Sequence, residues 1–235
     1  MGGVRMGTII IYFLAIYAIF TIPKYIRYQK SGYKSASGNS FLKTILDKGN
    51  YGEFLTFVYL EKLEGNHKIM TNLYIPKSDG TTTEIDLIMI SQTGIYVFES
   101  KNYSGWIFGN EKDKNWTQVL QNKQRNRFFN PIWQNSGHIN ALKKVVEIED
   151  SYFYKSYIIF SERCELKKIT VTSSNIKVIK RNALIETIKA DIATSEKHLT
   201  AEDIEQLFLK LKKYICVDDR VKKAHVDNIK NKLSK

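Results

Sequence analysis

The order of elements in this sequence predicts a mixed α/β domain, α+β-like in places, behind one apolar N-terminal helix. Three observations lead there. Gly7–Ile22 runs sixteen residues without a charge. Three short segments rich in β-branched and aromatic residues follow, separated by turn sequences. After them, helical periodicities alternate with further strand-like runs. The chain has 235 residues, 43% hydrophobic and 12% aromatic, enough for a sizeable core and too apolar for disorder. Two cysteines, Cys164 and Cys216, sit in no CxxC or Cys/His spacing, which excludes a disulfide scaffold and a structural zinc site.

At about 1.5 Å per residue, Gly7–Ile22 falls a little short of a ~30 Å hydrocarbon core. Extending it through Pro23–Ile26, with Lys24 snorkelling and Tyr25 at the interface, brings it to span length. A buried core helix and a cleaved signal peptide are the competing readings, and the small cluster Ser35-Ala36-Ser37 lies well past the run for a cleavage site. The expectation is an uncleaved, single-pass anchor in the cell membrane. Arg5 precedes the span, and Lys24, Arg27, Lys30 and Lys34 follow it. The positive-inside rule then puts the rest of the chain in the cytoplasm.

The net charge is +12, and most of it lies at the ends. Residues 1–34 carry five cations and no acid; the tail from Arg220 adds Lys222, Lys223, Lys230, Lys232 and Lys235 against Asp227 alone. The middle is nearly neutral, so bulk charge argues weakly for a nucleic-acid groove and more for a membrane.

Residues 1–30 read as the anchor and residues 31–44 as a linker, rich in Ser and Gly between positions 31 and 40. A helix follows, carrying Phe54, Leu55, Phe57, Val58, Leu60 and Leu63 and ending near Gly65. Strands are expected at Ile69–Ile75, Thr83–Ile90 and Ile95–Lys101. Residues 102–131 show no clear period and read as an irregular excursion. A helix over about Ile132–Glu147 comes next, then strands at Tyr157–Phe160, Ile169–Thr172 and Ile176–Ile179. Helices at about Ala183–Ala193 and Ala201–Tyr214 close the domain, the second opening on Thr200 and Asp203 as a near capping box. The core covers residues 45–160, a C-terminal completion 161–219, and a basic tail 220–235.

The chemically informative stretch is Thr83–Ile90, a tight turn, then Ile95–Lys101. Strand alternation puts Glu99 and Lys101 on one face. Pairing Ile90 with Ile95, or Ser91 with Gly94, sets Asp86 opposite Glu99, ~5 Å apart at Cβ. Two carboxylates that close repel unless a proton, a cation or a metal resolves the repulsion. Lys101 is one such cation, and a hard divalent ion is the other natural partner. Two acids and a lysine around a metal suit phosphodiester hydrolysis; a solvated cross-strand charge cluster is the plainer reading of the same spacing.

The residues from Lys48-Gly49-Asn50-Tyr51-Gly52-Glu53, through Thr83-Glu84-Ile85-Asp86, to Gly94–Lys101 and Asn102-Tyr103-Ser104-Gly105 resemble the nuclease-related domain (NERD) family of the PD-(D/E)xK phosphodiesterase superfamily. Trp116, Asn130-Pro131, Gln134-Asn135 and His138-Ile139 continue the match in the family's order. The resemblance covers about residues 45–160. It implies a restriction-endonuclease-like core, a central mixed sheet flanked by helices, with Asp86, Glu99 and Glu53 as ligands of Mg²⁺ or Mn²⁺. It also implies that Lys101 acts on the attacking water and that Gln134 supports the site from a helix. Ile85 stands where the superfamily often has proline, which leaves the ligand untouched.

Lys123, Arg125 and Arg127 are candidate nucleic-acid contacts, with ordinary solvated charge as the equal alternative. His138 shares a helix face with Gln134 and reads as a structural hydrogen-bonding residue. Glu84 is expected to point away from Asp86 and is left outside the site. Gly105 and Gly109 bracket Trp106-Ile107-Phe108, read as a turn that packs aromatics. The expected function is a membrane-anchored, metal-dependent nuclease with nucleic acid, DNA ahead of RNA, as partner. The alternative is a non-catalytic binding module on the same fold.

Overall fold

A computed structural model describes residues 2–215 and 217–233. Cys216 and Lys235 lie outside the described residues, as do the side chains of Arg5 and Lys232. The longest element is α1 (Gly2–Lys30). Its Thr8–Lys30 stretch has mean hydropathy 1.9, is long and apolar enough to cross a membrane, and its apolar window contributes nothing to the buried interior; only its last turns, at Tyr28, enter the core. That exposure removes the core-helix reading.

The serine- and glycine-rich stretch after α1 is folded rather than an open linker. It forms α2 (Tyr33–Ser37) and α3 (Phe41–Leu46). The small residues act as caps: Gly38 closes α2 in the left-handed region at φ 68°, and the Ser40 hydroxyl accepts the Lys43 N–H at the start of α3. Tyr28, at the end of α1, is 2% exposed; its hydroxyl donates to the Asn39 carbonyl, and its ring packs on Phe41 and Phe54. Tyr33 is fully buried between Phe54 and Phe57. The base of the apolar helix is therefore part of the domain's core.

Next is α4 (Lys48–Leu60), capped by the Asp47 carboxylate accepting the Asn50 N–H. It ends before the expected Gly65, although Leu63 beyond it stays buried. Three antiparallel strands follow: β1 (His67–Pro76), β2 (Thr82–Ser91) and β3 (Gly94–Lys101). The hairpin register is the expected one, with Ile90 opposite Ile95 and Ser91 opposite Gly94. Gly94 sits at φ 122°, where a Cβ would lie 2.4 Å from the Phe153 carbonyl oxygen, so the turn requires glycine.

Residues 102–131 are ordered, contrary to the expected irregular excursion. They build β4 (Gly105–Asn110), β5 (Asn115–Val119) and β6 (Arg125–Phe129), an antiparallel meander. Trp116 explains the ordering: its buried ring stacks on Phe160 and lies where any side chain at Gly109 would stand. Then come α5 (Pro131–Val146), β7 (Tyr154–Phe160), β8 (Cys164–Thr170) and β9 (Ile176–Lys180). The chain closes with α6 (Leu184–Thr194), α7 (Ala201–Lys212) and α8 (Asp219–Leu233). The Thr200–Asp203 capping box forms in both directions.

The main sheet has the order β1-β2-β3-β7-β9, antiparallel on one side of β3 and parallel on the other. A second, mixed sheet has the order β6-β5-β4-β8. Alternation along β2 divides the main core: Ile88 and Ile90 face α5 and α7, while Leu87 and Met89 face the α4 and α6 side. Cys164 is buried and unpaired.

Replacing Tyr33 by alanine is expected to destabilise the full-length protein by about 3–5 kcal/mol, the range for deleting a buried aromatic. Denaturant unfolding in detergent measures this; a loss below about 1 kcal/mol would show that α2 is not part of the core.

Candidate functional site

The site lies where the regular ladder around Asp86 gives way. On one side β1 pairs Thr71 with Leu87 and Leu73 with Ile85, but Asn72, which would face Asp86, turns into the left-handed region at φ 54°. On the other side the β2–β3 ladder stops at Leu87–Phe98. The Asp86 carboxylate takes up the slack by accepting the Ser100 backbone N–H through Oδ2 at 2.9 Å. Asp86 is thus tied to β3 one residue beyond Glu99.

Glu99 is 2% exposed, with both carboxylate oxygens engaged. Oε1 accepts from Lys101 Nζ at 2.7 Å, and Oε2 lies 3.1 Å from His138 Nε2. Facing a carboxylate, Nε2 carries the donated proton, which leaves Nδ1 to accept from the Thr83 hydroxyl 2.7 Å away when the ring is neutral. Lys101 Nζ also donates to Gln134 Oε1 at 2.9 Å. Gln134 and His138 reach these partners together because they are one turn apart on α5. That helix is pinned to the sheet by Asn135, whose amide donates to the Val97 carbonyl and the Ser156 hydroxyl.

Glu53 comes from α4. Its Oε2 is buried without a hydrogen-bond partner. Burial, reinforced by the Asp86 carboxylate, holds its carboxyl well above the usual range. Burial also raises Asp86, with Glu99 adding to the effect. Glu99 goes the other way: burial would raise it, but the Lys101 ammonium and the His138 hydrogen bond outweigh that and hold it low. Burial would lower Lys101, and the Glu99 carboxylate more than offsets this, so the ammonium is retained.

Glu53, Asp86, Glu99, Lys101 and Gln134 are therefore brought into one neighbourhood. Lys123, Arg125 and Arg127 are not: Lys123 occupies the β5–β6 turn at φ 65°, and both arginines are exposed on β6. Glu84 corrects the expectation made for it. Two residues from Asp86 on the same strand, it shares that face by the period-two rule, and its charge acts on both Asp86 and Glu53. Its carboxylate accepts the Tyr74 hydroxyl at 2.6 Å.

Sequence reasoning placed His138 correctly on the Gln134 face without naming Glu99 as its partner. The four-residue spacing was the available signal. Nothing in the sequence pointed to Ser100, Thr83 or the buried Arg181. Arg181 Nε lies 3.3 Å from Thr56 Oγ1, which is 3.2 Å from Ser100 Oγ, the residue whose N–H Asp86 accepts.

The donor chemistry suits a hard divalent cation, since carboxylate oxygens surround the site and Glu53 Oε2 lacks any partner. Among the described residues, however, no group of three His, Cys, Asp or Glu side chains is already drawn together to hold an ion.

An interrupted strand pairing, a buried acid–lysine pair and an acidic helix residue thus meet beside a mixed sheet. The nuclease-related domain profile matches residues 48–161. The chain is also 33% identical over 189 residues to an uncharacterized protein of Bacillus anthracis, a match covering 80% of this chain and 86% of that one. No solved structure matches it. The chain belongs to the nuclease-related domain family, within the PD-(D/E)xK-like nuclease superfamily.

The carboxyls of Glu53 and Asp86 are raised in the folded state, so the folded protein binds protons ahead of the unfolded chain. Without metal, this contribution makes stability rise as pH falls from above the raised values toward the ordinary carboxylate range. Glu53→Gln is expected to flatten that dependence and to raise Tm in EDTA at pH 8 by a few degrees, at about 2–4 °C per kcal/mol. Thermal melts of both proteins at pH 6 and pH 8 measure it; an unchanged pH dependence in the variant would remove Glu53 from the acidic cluster.

Proposed function

We propose that this protein is a membrane-anchored, divalent-metal-dependent nuclease that hydrolyses phosphodiester bonds, in DNA ahead of RNA. The observation that carries the reading is the Lys101 ammonium held between Glu99 Oε1 and Gln134 Oε1 beside Asp86 and the unpartnered Glu53 oxygen. Asp86, Glu99 and Glu53 would hold Mg²⁺ or Mn²⁺, which supplies Lewis acidity toward the phosphate and lowers the pKa of a bound water.

The chain's own residues account for the rest. Lys101 keeps its proton under the influence of Glu99, so at neutral pH its role is to orient the attacking water and stabilise charge developing on the phosphate. Gln134 Oε1 and Glu99 Oε1 take two donor directions of that ammonium and aim the third. His138, fixed by Thr83, holds the other Glu99 oxygen and so sets the plane of the carboxylate.

Anchoring is supported by the exposed apolar face of α1, and a cytoplasmic domain by the excess of Lys and Arg after the span. One observation favours the second reading, a non-catalytic nucleic-acid- or protein-binding module at the membrane. Both Glu99 oxygens are already occupied by side chains, so an ion competes with Lys101 and His138 for this ligand.

The test uses the full-length protein in detergent or nanodiscs, because removing residues 1–34 would delete Tyr28 and Tyr33 from the core. Plasmid, linear, single-stranded DNA and RNA are incubated with Mg²⁺, Mn²⁺ or EDTA. Cleavage is expected with metal only, reduced about 10²–10³-fold in Glu99→Gln and in Lys101→Ala. A folded protein that cleaves none of these substrates supports the module instead. Cleavage surviving both substitutions places the chemistry elsewhere. Resistance of the wild-type protein to extraction by alkaline carbonate tests the anchor separately.

A further inference from the structure

We propose that the outer face of the second sheet is a stacking platform for single-stranded nucleic acid; this rests on the nucleic-acid reading above and names the form of the substrate. The argument begins with parity. On β4, β5 and β6 the side chains of Ile107, Trp116 and Phe128 turn inward and share one buried cluster. Their strand neighbours must then face outward. The cross-strand rows are Trp106–Val119–Arg125, Phe108–Thr117–Arg127 and, beyond them, Asn115–Phe129.

That outward face carries large aromatic surface. Trp106 is 49% exposed and Phe129 46%, and Trp133, on the first turn of α5 against Phe129, is 43% exposed. Trp106 therefore corrects the reading of its segment as a turn that packs aromatics: Ile107 packs, and Trp106 does not.

The exposed rings are held rather than loose. The Trp133 indole N–H donates to the Glu111 carbonyl at 2.9 Å, and its ring meets Phe129 at 6.3 Å between centroids, nearly edge-on. The Lys167 ammonium sits 5.3 Å from the Trp106 ring centroid. Rings fixed in this way lose little entropy when a base stacks on them.

The charge on the face complements a polyanion. Arg125 and Arg127 are exposed and enter no ion pair among the described residues. Lys167 pairs with Glu165 at 2.7 Å, the acid of this face. The Arg125 and Phe129 rows are four residues apart, ~13 Å along the strand. That is room for a few nucleotides with their phosphates along the two arginines and their bases against Trp106 at one end and Phe129 and Trp133 at the other. A duplex hides its base faces inside the stack and offers these rings nothing comparable, so the face selects unpaired bases. Trp133 immediately precedes Gln134 in the first turn of α5, which links the end of the platform to the Lys101 site.

The test is a titration of the full-length protein in detergent, in EDTA so that no strand is cut. The probes are oligo(dT), oligo(U) and a DNA duplex of equal length. Oligo(dT) is expected to quench tryptophan emission and to bind more tightly than the duplex. Trp106→Ala and Phe129→Ala should each weaken oligo(dT) binding about 5- to 150-fold, with Trp106→Phe retaining most of it. Arg127→Gln should shallow the log–log salt dependence by about 0.7.

Oligo(U) binding as tightly as oligo(dT), with the same sensitivity to Trp106, also supports the platform and assigns it to single strands of either sugar. Equal affinity for duplex and single strand, or alanine variants that bind like wild type, overturns the platform while leaving the nuclease reading intact. Loss of binding in Phe129→Ala accompanied by dissociation of a dimer in sedimentation overturns it in favour of contact between copies. Failure of the wild type to bind any of the three probes, with no cleavage in metal, rejects both readings together.

Discussion

The contact between the Lys101 ammonium and the Glu99 carboxylate is the interaction on which the candidate centre depends. A carboxylate buried this deeply would take up a proton if it were alone. Lys101 at 2.7 Å and His138 at 3.1 Å keep it charged, and Glu99 in turn keeps Lys101 protonated in a place that would otherwise disfavour an ammonium. Each ion makes the other affordable, and removing either leaves an uncompensated charge in the sheet. Around this pair, burial and mutual repulsion disfavour the charged forms of the remaining acids, Asp86 and Glu53, and the Lys101 ammonium and the Ser100 N–H offset this only in part at Asp86. The centre is stabilised at one carboxylate and left in tension at two others, which is the condition in which an added cation would gain most.

The geometry follows from a failure of regular pairing. Were β2 paired evenly on both sides at Asp86, that carboxylate would be one of a row of side chains on a pleated surface. Instead Asn72 leaves the extended region, the β2–β3 ladder ends one row early, and Asp86 captures the Ser100 N–H. The free energy for this local irregularity comes from the layers on either side. The Ile88–Ile90 face and the Leu87–Met89 face both pack against helices, and α5 is stitched to the sheet by Asn135. The same helix presents Gln134 and His138 to the acid–lysine pair and Trp133 to the second sheet, so one rigid element connects the two regions.

The apolar helix α1 is joined to this architecture rather than attached by a flexible tether. Tyr28 and Tyr33 bury themselves against Phe54 and Phe57 of α4, and Gly32 donates its N–H to Glu61 at 2.7 Å. Because α4 also carries Glu53, the helix that leaves the domain and the helix that supplies an acid to the centre share one packed cluster.

Several features were legible in the sequence because they depend on local periodicity. The apolar run is one; the alternation of β2 and β3 and the turn from Ser91 to Gly94 are others, and they determine the register that brings Asp86 toward Glu99 and puts Lys101 on the Glu99 face. The Thr200–Asp203 cap and the spacing of Gln134 and His138 are equally local. What the sequence did not reveal depends on partners far apart in the chain. The meander of β4 to β6 is made of short strands without a clear alternation of apolar and polar residues, and is ordered by Trp116 meeting Phe160. The segment after α1 looks like a linker until Tyr33 finds Phe54 and Phe57. Glu84 required only the period-two rule, applied to a residue two positions from Asp86. The occupancy of both Glu99 oxygens, the loneliness of Glu53 Oε2 and the openness of the Trp106 face were decided by tertiary structure alone, because burial and hydrogen-bond satisfaction are properties of assembled surfaces and no single segment carries them.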